Sequence, residues 1–232
     1  MFNLDDIKPI RRMWLKVAGI PRARQGWLLS DCTEVSDERM EDVQRWLGYV
    51  KDGEIIRATG NRRCGKGLLI YGAPGHGKTT LAVSLIQEMI TTFPADVFKV
   101  DAGHSLVRPC YFATFNDILD LKGKLMDGSE TVDEAAIYSG MLGECQDDAY
   151  NIRILIIDDL GKEHSTSTSG AGWQSSLFHH VLRTRFNNGL PTIVTTNVKL
   201  NQWAGVYGDA TESFANEAFY YLPIAMSEDL RK

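Results

Sequence analysis

No apolar run in this 232-residue chain approaches the length of a membrane span, and the opening MFNLDDIKPI lacks the apolar core of a signal peptide. The four cysteines, Cys32, Cys64, Cys110 and Cys145, form no Cys-x-x-Cys pair and have no histidine pattern nearby. That spacing argues against a zinc site and against a secreted disulfide framework, so reduced thiols in a cytoplasmic setting are expected. Positive charge is scarce too: 25 Lys and Arg against 30 Asp and Glu leave a net charge of −5. Such a balance speaks against indiscriminate coating of duplex DNA, although it leaves room for a local basic track. No internal repeat is visible, nor a second region large enough to fold alone. With 44% hydrophobic and 24% charged residues, the chain reads as one α/β core with a short N-terminal appendage.

What is present centres on Gly67 to Thr80, GLLIYGAPGHGKTT. Leu68 to Tyr71 is a short apolar run, as in a buried parallel strand, and it leads through Gly-x-x-x-x-Gly-Lys-Thr into a helical pattern. This is the strand, loop and helix context of a P-loop. Gly72, Gly75 and Gly77 allow backbone angles and close approach that a Cβ hinders, so successive N–H groups can face anionic oxygens. The helix that follows adds the positive end of its dipole. The stretch Gly72, Ala73, Pro74, Gly75, His76, Gly77, Lys78, Thr79 and Thr80 is therefore expected to wrap the phosphates of ATP. Lys78 would reach the β- and γ-phosphates, and the Thr79 hydroxyl would be a ligand of Mg²⁺. His76 sits at a variable loop position with no chemistry of its own assigned.

Ile152 to Ile157 is a second apolar run, and it ends in Asp158-Asp159. Beside a P-loop, paired carboxylates at a strand end suit one acid holding the metal and another orienting or deprotonating the attacking water. Asp158 takes the first role and Asp159 the second. Pro191 to Asn197 is a further strand tipped by an amide; Asn197 either contacts the γ-phosphate or its water, or caps a helix beginning near Leu200.

Around these lie amphipathic helices. Ile10, Met13, Trp14 and Val17 form one stripe after Pro9, with Arg11, Arg12 and Lys16 off it. This arm either packs on its own domain or docks in a partner's groove. Ser36 is placed as an N-cap for a helix through Val50, and Arg57, Arg62, Arg63 and Lys66 form a basic patch. A helix from Leu81 must stop by Pro94, a hairpin is expected around Val97 to Val100, and a strand at Cys110 to Thr114 leads into a helix from about Asn116 to Met126. The acidic stretch Asp127 to Tyr150 is helical in pattern, and Gly161 to Gly172 is a Ser/Thr/Gly-rich loop. Trp173, Leu177, Phe178, Val181, Leu182 and Phe186 mark a helix with Arg183 and Arg185 near its C-terminal end, where cations suit the dipole. A helix around Asp209 to Ala218 and a strand at Tyr221 to Ala225 follow. Five strands alternating with helices imply a three-layer α/β/α P-loop NTPase with a five-stranded parallel sheet and a short N-terminal helical extension.

The P-loop, the stretch Asp158-Asp159-Leu-Gly-x-Glu163 and the Pro191-to-Asn197 strand, in that order, make the chain similar to the DnaC/DnaI-type replicative helicase loaders and the related IstB transposition ATPases of the AAA+ class. Ala18-Gly-Ile-Pro-Arg22 followed by Trp27 and Leu28 resembles the lead-in of those proteins. Leu200 to Gly208, Leu222-Pro and Glu228-Asp-Leu-Arg231 match as well. The resemblance implies an arm over residues 1–18 and an AAA+ ATPase domain over 19–232. It implies Walker A roles for Lys78 and Thr79, Walker B roles for Asp158 and Asp159, and a sensor role for Asn197. It also implies contact with single-stranded DNA through regions that here hold Lys122, Lys124 and Ser165 to Thr168. Two departures stand out. Only about eighteen residues precede the shared lead-in, so a helicase would have to be met by the arm or by another surface. Phe214 stands where the family usually carries an arginine that reaches a neighbouring subunit, which leaves Arg183 or Arg185 to act in trans and predicts slow hydrolysis.

The expected function is an ATP-dependent loader that brings a hexameric replicative helicase to single-stranded DNA and self-assembles when ATP-bound, in a compact form suited to a phage or mobile element. The alternatives are an IstB-like accessory ATPase on duplex DNA and a slow-turnover ATP-gated adaptor.

Overall fold

A computed structural model of the chain describes residues 7–33, 35–55, 65–100, 103–161 and 171–224. In chain order the elements are α1 (Pro9–Val17), α2 (Asp37–Lys51), β1 (Gly67–Tyr71), α3 (Lys78–Thr92), β2 (Cys110–Thr114), α4 (Phe115–Asp127), α5 (Val132–Leu142), β3 (Ile154–Leu160), α6 (Ala171–Asn187), β4 (Thr192–Thr196), α7 (Trp203–Tyr207), α8 (Asp209–Ala218) and β5 (Phe219–Pro223). The strands form one parallel sheet in the order β2-β3-β4-β1-β5.

Both faces of the sheet are covered, and the strand pleat decides which residue goes where. Leu68, Ile70, Ile154, Ile156 and Ile193 enter a core shared with α1, α2 and α3, while Leu69, Leu155, Ile157 and Val194 enter a second core beneath α4 to α8. These strands read as unbroken apolar runs because each alternate residue is buried on one side or the other. Two of the helices start at reciprocal caps: Thr114 Oγ1 accepts from Asp117 N at 3.1 Å, and Thr131 Oγ1 accepts from Glu134 N at 3.2 Å.

The N-terminal arm packs on its own domain. Trp14 is fully buried and donates through Nε1 to Leu106 O at 2.8 Å, and Leu15 is buried beside it. Arg11 donates to Ile90 O and Phe93 O, satisfying carbonyls at the end of α3. Burying the two apolar side chains stabilises the fold by roughly 3–6 kcal/mol. Of the stripe read from the sequence, Ile10 and Met13 stay outside, 37% and 40% exposed.

Several expected elements take a different form. The hairpin around Val97 is a 3-10 turn, Ala95–Phe98, followed by a single antiparallel bridge between Lys99 and Ser105. Ser36 sits at the N-cap of α2 but makes no side-chain cap bond. The acidic stretch holds one regular helix, α5, flanked by left-handed Gly128 and Gly143. The last strand begins two residues earlier than expected, because α8 runs straight into it and Phe219 pairs with Gly67. Arg57, Arg62, Arg63, Cys64, Lys162 to Thr168 and the tail from Ala225 lie outside the described residues.

Candidate active site

The P-loop leaves β1 at the carboxyl edge of the sheet and closes on the first turn of α3. Gly75 and Gly77 have φ of 83° and 72°, in the left-handed region that a side chain disfavours. Gly72 is small for another reason. A Cβ there would meet Ile224 O at 2.4 Å, where the chain leaving β5 packs against the loop's entrance. Lys78, almost fully buried, donates through Nζ to Ala73 O at 2.8 Å. Among the described residues, His76 Nδ1 is buried without a hydrogen-bond partner, as is Asn197 Oδ1 just past the end of β4. Orphaned polar atoms of this kind are uncommon in a folded protein and suit a site built for a polar ligand. A loop of left-handed glycines with a lysine folded back on its own carbonyl fits an anion with several oxygens.

Across the loop, Asp158 and Asp159 close β3 at a bulge. The β3–β4 register shifts between Ile157 and Leu160, and Asp159 adopts φ +57°, the one positive value among the described non-glycine residues. The bulge separates the two carboxylates: Asp158 is 3% exposed, whereas Asp159 is only partly buried. Thr79 Oγ1 donates to Asp158 Oδ2 at 3.1 Å, so the hydroxyl and the carboxylate named for Mg²⁺ are already adjacent. An oxygen pair of this type is a donor set that Mg²⁺ accepts. Burial pushes the Asp158 carboxyl above its usual range, and hydrogen bonds from Thr195 and Thr79 work in the opposite direction.

Thr195, on β4, was not singled out in the sequence. Its hydroxyl donates to Asp158 Oδ1 at 2.5 Å and accepts from Asp159 N at 3.0 Å, so it holds both acids in place. A polar residue in the middle of a fully buried strand was the available signal. Asn197 is not the cap of the following turn: Lys199 occupies that position before a 3-10 turn, Leu200–Gln202, that leads into α7.

Arg185 is not available to act in trans. It is 0% exposed, and its five N–H donors are spent on Thr192 Oγ1, Met141 O, Ile152 O, Arg153 O and Pro191 O. Burial pushes its pKa down to about 9, still charged at neutral pH. Arg183, one position off the apolar stripe, is exposed and lies over the Phe214 ring, 4.8 Å from its centroid. Phe214 itself is buried against Phe186 and His179, and α8 carries no basic residue. Of the lysines linked to DNA contact, Lys124 pairs with Glu134 at 2.5 Å and Lys122 lies over Tyr138.

Solved structures share this fold. The DnaC helicase loader aligns over 88% of this chain and 100% of its own, with 23% identity and a TM-score of 0.56. DnaI aligns over 89% and 95%, with 21% identity and a TM-score of 0.58. Domain III of the Thermotoga maritima replication initiation protein DnaA aligns over 84% and 65%, at 16% identity and a TM-score of 0.53. Comparison with curated proteins finds no match. Residues 68–202 match the family described as ATPase family associated with various cellular activities (AAA), a span that runs from β1 to the turn after β4 and takes in every site residue above except the lead-in and α8. The chain belongs to the AAA ATPase family.

Proposed function

We propose that this protein is an ATP-dependent loader that delivers a hexameric replicative helicase to single-stranded DNA. The observation that carries the nucleotide part is the Thr79–Asp158 contact at the mouth of a left-handed, lysine-bearing loop. The loader part is supported by the alignment with the DnaC helicase loader over 88% of this chain. In this reading Gly72 to Thr80 cradle the phosphates, Lys78 faces the β- and γ-phosphates, and Thr79 and Asp158 hold Mg²⁺. The ion supplies neutralisation of the phosphate charge. Asp159, set apart by the bulge, orients or deprotonates the attacking water, and Asn197 faces the γ-phosphate side. ATP-bound copies self-assemble, and hydrolysis releases the helicase.

The exposed pair Ile10 and Met13 is the candidate helicase contact. Deleting residues 1–18 would also strip Trp14 from the core, so surface charges make the cleaner probe. The test is co-purification with the host's replicative helicase in Mg-ATP. We expect the wild type to retain helicase, Ile10→Glu/Met13→Glu to lose it with an unchanged fold, and Lys78→Ala to lose nucleotide dependence. A wild type that retains no helicase would overturn the reading.

The slow-turnover adaptor remains the second reading, favoured by one observation: Arg185 is locked inside and α8 offers no cation. Multiple-turnover hydrolysis that Asp159→Asn abolishes would eliminate it.

A further inference from the structure

The lead-in between α1 and α2 contains a short 3-10 turn, Arg22–Arg24, whose last side chain reaches the P-loop helix. Arg24 Nη1 donates to Thr80 Oγ1 at 2.6 Å. Thr80 follows Thr79 in the first turn of α3, so the guanidinium lies one hydrogen bond from the stretch that would wrap phosphates. Its charge is felt at Asp158, where it opposes the upward shift that burial imposes.

The position is enforced from behind. Gln87, 1% exposed on α3, donates through Nε2 to Arg24 O at 2.9 Å and Trp27 O at 3.1 Å, while its Oε1 accepts from Gly26 N at 2.7 Å. A buried amide thus clamps the lead-in backbone at the last residue of the turn and just after it. Farther along α3, Ser84 and Glu88 hold Cys32 and Leu29 of the same segment. Thr80, Ser84, Gln87 and Glu88 recur at helical spacing, which makes one polar stripe of α3 a seat for the lead-in.

Arg24 is half-buried, and no carboxylate forms an ion pair with it among the described residues. One neutral hydroxyl is a weak partner for a group with five donors and a full charge. The Arg185 guanidinium, by contrast, has every donor matched. A cation held beside an anion cradle with most of its donors unmatched among the described residues is arranged for an anionic ligand.

We propose that Arg24 is a second phosphate-binding cation of this site, contributed in cis by the lead-in, and that a nucleoside di- or triphosphate draws it from Thr80 onto phosphate oxygens. The proposal rests on the nucleotide reading above. Phosphate occupancy would then be sensed by the segment that joins the arm to the ATPase core.

The test is titration of Mg-ADP, Mg-ATP and inorganic tripolyphosphate against the full chain, comparing wild type, Arg24→Gln, Arg24→Lys and Lys78→Ala. Gln keeps a donor for Thr80 without the charge. We expect Arg24→Gln to weaken all three ligands by about tenfold or more, with Arg24→Lys regaining part of the loss and the ligand-free melting temperature unchanged. Tripolyphosphate has neither base nor ribose, so a matching loss there assigns the contact to phosphate. Arg24→Gln binding within about twofold of wild type, with Lys78→Ala defective, would overturn the proposal and leave the nucleotide reading standing. A wild type that binds none of the three would overturn both.

Discussion

The corner around Arg185 and the lead-in around Arg24 place the same side chain in opposite circumstances. At the corner, α5, the approach to β3 and the approach to β4 converge, and one guanidinium gathers four of their carbonyls and the Thr192 hydroxyl. In the lead-in, a clamped turn holds a guanidinium beside the P-loop helix with, among the described residues, a single hydroxyl as partner. The difference teaches that an arginine's role follows from how many of its donors the fold already uses. Helix position misleads: Arg185 sits where a cation suits the helix dipole, yet it acts as a fastener in the core.

The comparison is most sharply tested by Arg185→Ala. It would leave several buried carbonyls without donors, and we expect a loss of about 3–5 kcal/mol, read as a fall of about 10 °C or more in melting temperature, or as insoluble protein. A variant that melted like the wild type would show that the corner does not depend on the fastener. Next in size, Lys78→Ala should abolish the stabilisation that Mg-ATP gives, about 2.7 kcal/mol for ligand at a hundred times its Kd, read as the loss of the ligand-induced rise in melting temperature.

Asp158→Asn has a signed pH signature. Because burial raises the Asp158 pKa in the folded state, the protonated acid stabilises the fold, and that contribution is lost as pH rises through the raised value. The ligand-free Asn variant should therefore match the wild type in acid. At neutral pH it should melt higher than the wild type. It should gain little from Mg²⁺. The smallest effect belongs to Arg183→Ala, which removes the contact over Phe214 at a cost of about 0.5–1 kcal/mol. If ATP turnover per subunit in the assembled state fell by a hundredfold or more, Arg183 would be the cation acting in trans.

The sheet was legible because strands buried on both faces are written as apolar runs, and β1, β2 and β4 were each found near their true limits, whereas β3 runs from Ile154 to Leu160 and takes in the two acids expected beyond its end at Ile157. The P-loop was legible because its residues are local in the chain. Arg185 carried its own warning, since Phe178, Val181, Leu182, Arg185 and Phe186 share one helical stripe, so the burial of Arg185 was foreseeable from spacing alone. Arg24, Thr195 and Gln87 were not foreseeable in the same way. Their roles depend on contacts across 36 to 63 positions of sequence, which periodicity does not encode. The arm's docking on its own domain was similarly hidden, because an apolar stripe does not state whose surface it covers.

The left-handed backbone at Asp159 has a consequence for how this site can change over generations. Among residues with a side chain, Asp and Asn tolerate that conformation best, and Gly adopts it freely, whereas β-branched residues are strained there. From either aspartate codon, Asn and Gly are each a single base away. The lineages open to this position at little conformational cost are thus three, and under the function proposed above they would be an acid that turns ATP over, an amide that holds it, and a glycine that leaves the shape of the bulge without its chemistry. On that proposal, selection at position 159 would be a choice among a motor, a latch and a scaffold.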